Sequence, residues 1–445
     1  MDFSILKELL DKHDLIRLTN ILKTMRAADI AEFLEELDHK TALLVFRLLP
    51  KDLAVNVFSH LSSQRQSEFS MLVDEEELAS IVEELYFDDR IDYIEEMPAN
   101  VVKKILKNSS ETERRLINQF LNYPEDSAGS LMTIEFVDLK KHMKVRDALK
   151  RIREIGQDKE TIYTCYVIDE ERRLEGIVSL RDLVLADPDA IIEDIMETQI
   201  IYVSTYDDQE YIADVFKKYG FLALPVVDQE RRLVGIITVD DIVDVIELEN
   251  TEDFHKMAAI QPLRESYLDT SVFKLASKRM LWLMVLMISA TISGGIIKKY
   301  ESALEAVVAL TVFIPMLMDT GGNAGSQSST LIIRSIALGE LTFKDTFKVI
   351  WKEFRVSLVV GLPLAIVNFL RVYFLEGYGL ALSLTVSATL LVTVIFAKIV
   401  GGLLPMIAQK LNIDPAIMAS PLITTIVDAI SLVFYFTFAT WIMGL

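Results

Sequence analysis

The sequence predicts a multidomain membrane protein: an all-α helical solenoid, then a duplicated α/β unit, then an α-helical transmembrane domain of five helices. Three observations carry this. Long apolar runs are confined to the last third of the chain, a 20-residue block recurs at a fixed offset, and the charge balance changes sign between the two parts. Of 45 Lys+Arg and 66 Asp+Glu, residues 272–445 hold 13 and 9, a net charge of +4, which leaves −25 for residues 1–271. The first part is therefore an acidic soluble unit. Its charge would repel nucleic-acid phosphates, so no nucleic-acid partner is expected and cationic partners are favoured, inorganic ions included; acidity for solubility alone explains the same composition. The N-terminus lacks a basic stretch followed by an apolar core, so no cleaved signal peptide is expected and the soluble part should stay in the cytoplasm. The single cysteine, Cys165, fits a reducing compartment.

Residues 1–129 read as short amphipathic helices. Segments such as Asp29-Ile-Ala-Glu-Phe-Leu-Glu-Glu-Leu and Glu77-Leu-Ala-Ser-Ile-Val-Glu-Glu-Leu recur at about 24-residue spacing, the mark of a small helical solenoid. Within it Asp88, Asp89 and Asp92 form an acidic group that a solvated helix start would also explain.

Residues 130–247 contain the repeat. Aligning 166–185 with 225–244, an offset of 59, gives 10 identities in 20 positions. Each copy reads as strand, polar turn, strand and helix, with another helix before it at 145–155 and 210–219. This pattern resembles a tandem pair of CBS modules. The resemblance implies an adenine-nucleotide site, with ATP as a candidate ligand, at Ser179, Arg181 and Asp182 in the first copy and at Thr238 and Asp241 in the second. A helix N-cap and nothing more explains Ser179 and Thr238 equally well. The second copy runs into an acidic stretch from Asp240 to Asp253, seven of whose fourteen residues are Asp or Glu and none basic. Like charges three or four apart weaken a helix, so this connecting helix, assigned to 248–271 with its acidic run starting near 240, should fray alone and be held by divalent cations; a solvated acidic face is the alternative.

Five spans are expected in 272–445, with apolar runs at 281–297, 306–333, 356–370, 377–408 and 415–445. With the soluble unit inside, Lys274, Lys278, Arg279, Arg334, Lys344, Lys348, Lys352, Arg355 and Lys410 fall on the cytoplasmic side and Lys298, Lys299 and Arg371 on the far side. That bias predicts a multi-pass plasma-membrane protein with its N-terminus inside and its C-terminus outside. The last span carries Asp428, about 18 Å along a helix begun at Ala416 and so near mid-membrane. A carboxylate there is costly and marks an ion or proton path. The second span is expected to break at Pro315-Met-Leu-Met-Asp-Thr-Gly-Gly-Asn-Ala-Gly-Ser-Gln-Ser-Ser-Thr, where glycines let backbone leave the helix beside water. Thr424, Thr425 and Asp428 share a helical face, and Pro421 should free a carbonyl below Thr425. Oxygen ligands alone suit a hard cation, Mg²⁺ above all.

Gly321-Gly-Asn-Ala-Gly-Ser-Gln-Ser-Ser-Thr and Asp414-Pro-Ala with Pro421 and Asp428, together with Tyr123-Pro-Glu-Asp-Ser-Ala-Gly and Glu249-Asn-Thr-Glu-Asp, resemble the MgtE-type magnesium channels over the whole chain. The resemblance implies a homodimer and a pore lined by Asp428, Asn323, Gln327, Thr424, Thr425 and Gly322. It also implies regulatory Mg²⁺ at Asp241, Asp244, Glu249, Glu252 and Asp253, with Asp88, Asp89 and Asp92 completing the acidic set. Ser326 and Gly220 depart from the family pattern. A zinc protease is excluded because all five histidines precede the first span. A CBS-regulated anion channel would need intramembrane cations where this chain has Asp428. Transport of Co²⁺ or Mn²⁺ is the nearer alternative. No Gly-x-x-x-x-Gly-Lys-Ser/Thr motif is present, so the membrane potential would drive uptake.

Overall fold

The computed structural model describes residues 3–263, 267–268, 270–418 and 420–444. They form two compact units, 1–246 and 247–445.

Ten helices of eight to ten residues occupy positions 4–120 of the first unit. Polar caps set where they start: the side chains of Asp14, Asp38 and Ser62, each 24 residues after the last, accept N–H groups that open a helix. Their inward faces bring Phe46, Phe58, Phe69 and Tyr93 together, with ring centroids 5.1–6.2 Å apart. Helix α1 (Phe87–Glu96) carries the three aspartates singled out above.

The repeat folds as two copies of one sheet. In the first, β2 (Thr164–Ile168) pairs with β1 (Val137–Leu139) in parallel and with β3 (Leu174–Ser179) antiparallel. The second repeats this with β5 (Ala223–Val227) between β4 (Val203–Ser204) and β6 (Leu233–Thr238). Thr164 lies opposite Ser179 and Ala223 opposite Thr238, so the offset of 59 is kept in the strand register. The copies are joined reciprocally: Leu174 N–H donates to Arg231 O at 3.1 Å and Leu233 N–H to Arg172 O at 2.9 Å. Cys165 is buried in β2. Helices α2 (Val145–Ile155), α3 (Leu180–Leu185) and α4 (Gln209–Tyr219) cover the sheets. Helix α5 (Val239–Met257) follows β6 without a break. The acidic stretch is thus helical, but the helix stops at Met257 and does not extend to 271. Ala259 turns left-handed there at φ 54°, and Ile260 N–H donates back to His255 O. Positions 264–266 and 269 of the expected connecting helix lie outside the described residues.

The second unit is helical, with α6 (Val272–Lys299), α7 (Ala309–Ala337), α8 (Thr346–Leu370), α9 (Leu380–Lys410) and α10 (Ser420–Met443). Among the described residues, four helices are long and apolar enough to cross a membrane, those containing α6, α8, α9 and α10. Helix α7 is not among them, because its glycines and polar side chains dilute an otherwise apolar run. The break expected in 315–330 is absent: α7 is continuous over 29 residues, with Pro315 near its start. A continuous helix satisfies its own backbone, and the glycines are used for helix contact instead. A Cβ on Gly325 would meet Ile423 Cγ2 at 2.6 Å and Ala397 O at 3.1 Å, and one on Gly401 would run into the Gly325 carbonyl. Helices α7 and α9 therefore touch backbone to backbone.

Gly401→Ala should force them apart and lower stability by more than about 2 kcal/mol, read as an earlier thermal transition of the detergent-purified chain in fluorescence size-exclusion assays. A transition equal to the wild type's would show that the contact is not tight.

Candidate functional site

The proposed pore residues gather on α7 and α10. A Cβ on Gly322 would lie 2.8 Å from Thr424 Cγ2, so glycine is what lets α10 come this close. The Thr424 and Thr425 hydroxyls both donate to Pro421 O, at 2.9 and 3.0 Å. The carbonyl expected to be free is thus occupied, and the two hydroxyl oxygens keep their lone pairs as acceptors. Asp428 follows one turn later and is half-buried. Asn323 and Gln327 do not enter the α7–α10 contact. They lie on the exposed face of α7, in a stripe with Asp319 and Thr330 that repeats every three or four residues. Asp319, within the apolar run 306–333, lies close enough to Asp428 for their charges to interact. Its signal was available, since it too is a carboxylate inside an apolar run.

A second acidic group sits in the first unit. Burial pushes Asp88 well above the usual carboxylate range, and the charges of Asp241, Asp89 and Glu160 add to it. Asp89 is raised by burial, against the pull of His60 and with the push of Asp240 and Glu135. Asp92 is exposed. The protein around it, then Glu95, Asp89 and Asp241, push it up to about 7. Asp241 is raised to about 6 by burial despite the hydrogen bond it accepts from Thr238 Oγ1 at 2.6 Å. Glu160 was not anticipated. Burial and the charges of Asp241, Asp240 and Asp89 raise it to about 8, and its Oε2 is buried without a hydrogen-bond partner. Among the described residues, no three His, Cys, Asp or Glu side chains form a ready metal-ligand set.

The remaining acidic residues of α5 are divided. Asp244 is exposed and Glu249 partly buried. In the second unit Glu252 and Asp414 share one cation, Lys256, whose Nζ is 2.7 Å from Asp414 Oδ2 and also bonded to Glu252. Burial pulls that ammonium down, but its two carboxylate partners outweigh the pull and hold it above its usual range. Burial and the Asp414 charge raise Asp253 beside it. Neither Lys256 nor Asp414 had been singled out as a ligand.

In the first unit, a cavity of about 750 Å³ is lined by Ser179, Arg181, Tyr163, Gly220, Phe221 and Pro225 among others. Ser179 and Arg181 thus reach one cavity, whereas Asp182 and Thr238 are not in its lining. The Ser179 hydroxyl donates to Asp182 Oδ2 at 2.5 Å and accepts Asp182 N–H at 3.1 Å, so Asp182 is folded back on the cap. Gly220, noted as a missing acid, ends α4 at φ 67° and opens the cavity wall. The aromatic walls Tyr163 and Phe221 lie outside the repeated block, which is why the alignment did not mark them.

Comparison with known proteins matches residues 314–438 to the MgtE divalent cation transporter model, 25–126 to the MgtE intracellular N domain, and 128–189 and 192–248 to CBS domains. The magnesium transporter MgtE of Thermus thermophilus is 38% identical over 440 residues, covering 98% of this chain and 97% of that protein. That of Bacillus subtilis is 33% identical over 438 residues, covering 96% of each. Among solved structures, the cytosolic domain of the Mg²⁺ channel MgtE in complex with ATP aligns with a TM-score of 0.52 at 39% identity, over 54% of this chain and 98% of that one. The soluble part of a magnesium transporter aligns with the same score at 31% identity, over 56% and 97%. With full-length relatives at this identity, the chain belongs to the MgtE family of magnesium transporters.

Proposed function

We propose that the chain is a passive Mg²⁺ channel of the plasma membrane, working as a homodimer of five-span subunits, N-terminus inside and C-terminus outside, and closed by cytosolic Mg²⁺. The observation that carries the pore reading is the exposed polar stripe of α7, Asp319, Asn323, Gln327 and Thr330, beside half-buried Asp428. Acyl chains cannot solvate such a stripe, so α7 as a fifth span needs a second copy or a water-filled path against it. A hydrated Mg²⁺ suits it: carboxylates, amides and threonine oxygens can accept hydrogen bonds from the water that this ion gives up reluctantly.

Regulation rests on the acidic groups. Asp88, Asp89 and Asp241 repel one another in partly buried surroundings with exposed Asp92 beside them, and Asp244, Glu249, Asp253 and the Lys256-paired Glu252 continue the acidic run along α5. Because no three carboxylates converge as a preformed set, Mg²⁺ would be held through retained water, with pairs of carboxylates bridged. Plentiful cytosolic Mg²⁺ would relieve the repulsion and favour the closed state; scarcity would release it. The cavity at Ser179, Arg181, Tyr163 and Phe221 suits an adenine nucleotide, with aromatic walls for the base and Arg181 for phosphate, and a structural relative carries ATP in its cytosolic domain.

Three outcomes are expected. In proteoliposomes, Asp428→Ala should abolish most Mg²⁺ flux, while Asp244→Ala and Glu249→Ala should leave the channel open at Mg²⁺ levels that close the wild type. Undiminished flux in the first variant refutes the pore assignment, and unchanged Mg²⁺ dependence in the others refutes the gate. The second outcome concerns pH. Asp88, Asp92, Glu160 and Asp241 bind protons more readily folded than unfolded, so the stability they contribute should be fully present below the unfolded carboxylate range of about 4 and be lost as pH rises through the folded values of about 6 to 8. Added Mg²⁺ should flatten that fall in thermal scans of the purified chain. A melting temperature that climbs with pH over this window would contradict the repulsion. Third, calorimetry should detect ATP binding to the purified chain and its loss in Arg181→Ala; equal binding by the variant would place the nucleotide elsewhere.

A further inference from the structure

Two ionisable side chains lie deep in the second unit, and neither the pore nor the acidic gate uses them. Glu353 of α8 is 8% exposed and Lys398 of α9 is 5% exposed. The hydroxyl of Ser328 on α7, itself 1% exposed, joins them: it donates to Glu353 Oε2 at 2.6 Å and accepts from Lys398 Nζ at 3.4 Å. Three helices thus meet at one hydroxyl. The surroundings are apolar, with Ile332, Val349 and Met406 packed together nearby and a Cβ on Gly402 placed 3.2 Å from Glu353 Cγ. Neighbouring Lys352 and Arg355 are exposed, so Glu353 is the charge its turn of α8 sends inward.

We propose that Glu353, Ser328 and Lys398 are positioning residues for ion conduction, a buried charge pair that sets the rotation of α7. Ser328 lies on the glycine face of α7, one turn beyond Gly325, which rests against the α9 backbone. Asp319, Asn323 and Gln327 occupy the exposed face. The glycine contact fixes how close α7 comes to α9 but offers no directional bond to fix its rotation. The Ser328 hydroxyl supplies one toward α8 and α9, beside the bonds of Ser329 Oγ to Met418 O and of Tyr435 Oη to Leu310 O elsewhere on α7, and a change in rotation would move the stripe. The pair also neutralises Lys398, whose charge alone in an apolar interior would be costly and would repel a permeating cation.

The inference rests on the α7 stripe being the ion path, and one set of proteoliposome flux measurements separates the two. Glu353→Gln keeps the shape and an acceptor oxygen but leaves Lys398 uncompensated. It should lower the maximal Mg²⁺ rate about tenfold or more, with little change in the half-saturating concentration, because the ion-binding oxygens remain. Adding Lys398→Met should restore the rate to within about threefold of wild type, since the buried charge is again balanced. Ser328→Ala keeps both charges and removes only the bridge, and should also lower the maximal rate. A folded Glu353→Gln protein with wild-type flux, or a double variant no better than the single, overturns the proposal. If Glu353→Gln does not fold, Ser328→Ala decides: wild-type flux in that variant overturns it, and a lowered maximal rate supports it. Asn323→Ala and Asp428→Ala in the same assay report on the path itself; normal flux there sinks the path and the positioning role that rests on it, whereas lost flux there with wild-type flux in Glu353→Gln sinks the positioning role alone.

Discussion

The membrane unit depends on the approach of α7 to α9 and α10 at Gly321, Gly322, Gly325 and Gly401. Lipid tails are as apolar as a leucine side chain, so helices in a bilayer gain little by hiding apolar surface from it. They associate through close packing and the occasional polar bond. Small residues make such packing possible, and here they bring the backbones of α7 and α9 into contact and seat Thr424 against Gly322. The polar groups follow from that geometry. With one side of α7 occupied by contact, Asp319, Asn323, Gln327 and Thr330 are left together on the other.

Electrostatics then divides the molecule into two regimes. In the first unit the acidic groups are crowded without enough cations, and burial together with mutual repulsion raises their proton affinity. In the second unit some carboxylates find partners inside the chain, with Lys256 joining Glu252 to Asp414 and Ser328 joining Glu353 to Lys398, while Asp319 and Asp428 stand together without a cation. The same physics gives opposite uses. An uncompensated cluster responds to whatever cation arrives, whereas a compensated pair holds its helices in place.

The duplicated sheets show how a repeat diverges without losing its frame. Register and the reciprocal hydrogen bonds at Arg172 and Arg231 are kept at an offset of 59, because both copies must pair along the same edge. Outside that edge the copies differ. Ser179 caps a helix of six residues and lines a cavity, whereas Thr238 binds Asp241 at the head of a helix of nineteen.

Much of this was legible along the chain. Cap spacing in the helical region, the repeated block, the apolar runs and the isolated carboxylate Asp428 are all patterns over short stretches, and local backbone geometry turns such patterns directly into elements. The continuous helix at 309–337 was not legible, because glycine is compatible both with a broken span and with close packing, and only the neighbours decide which. Nor were the links Lys256–Asp414, Glu160–Asp241 and Glu353–Ser328–Lys398, each formed between side chains far apart in sequence. The sequence by itself determined the short capped helices, the duplicated strands and the apolar runs, because each is a pattern over a short stretch. Tertiary structure decided which charges far apart along the chain are compensated, since that depends on distance and burial; of the bonds above, Glu252 with Lys256 alone follows from helical spacing.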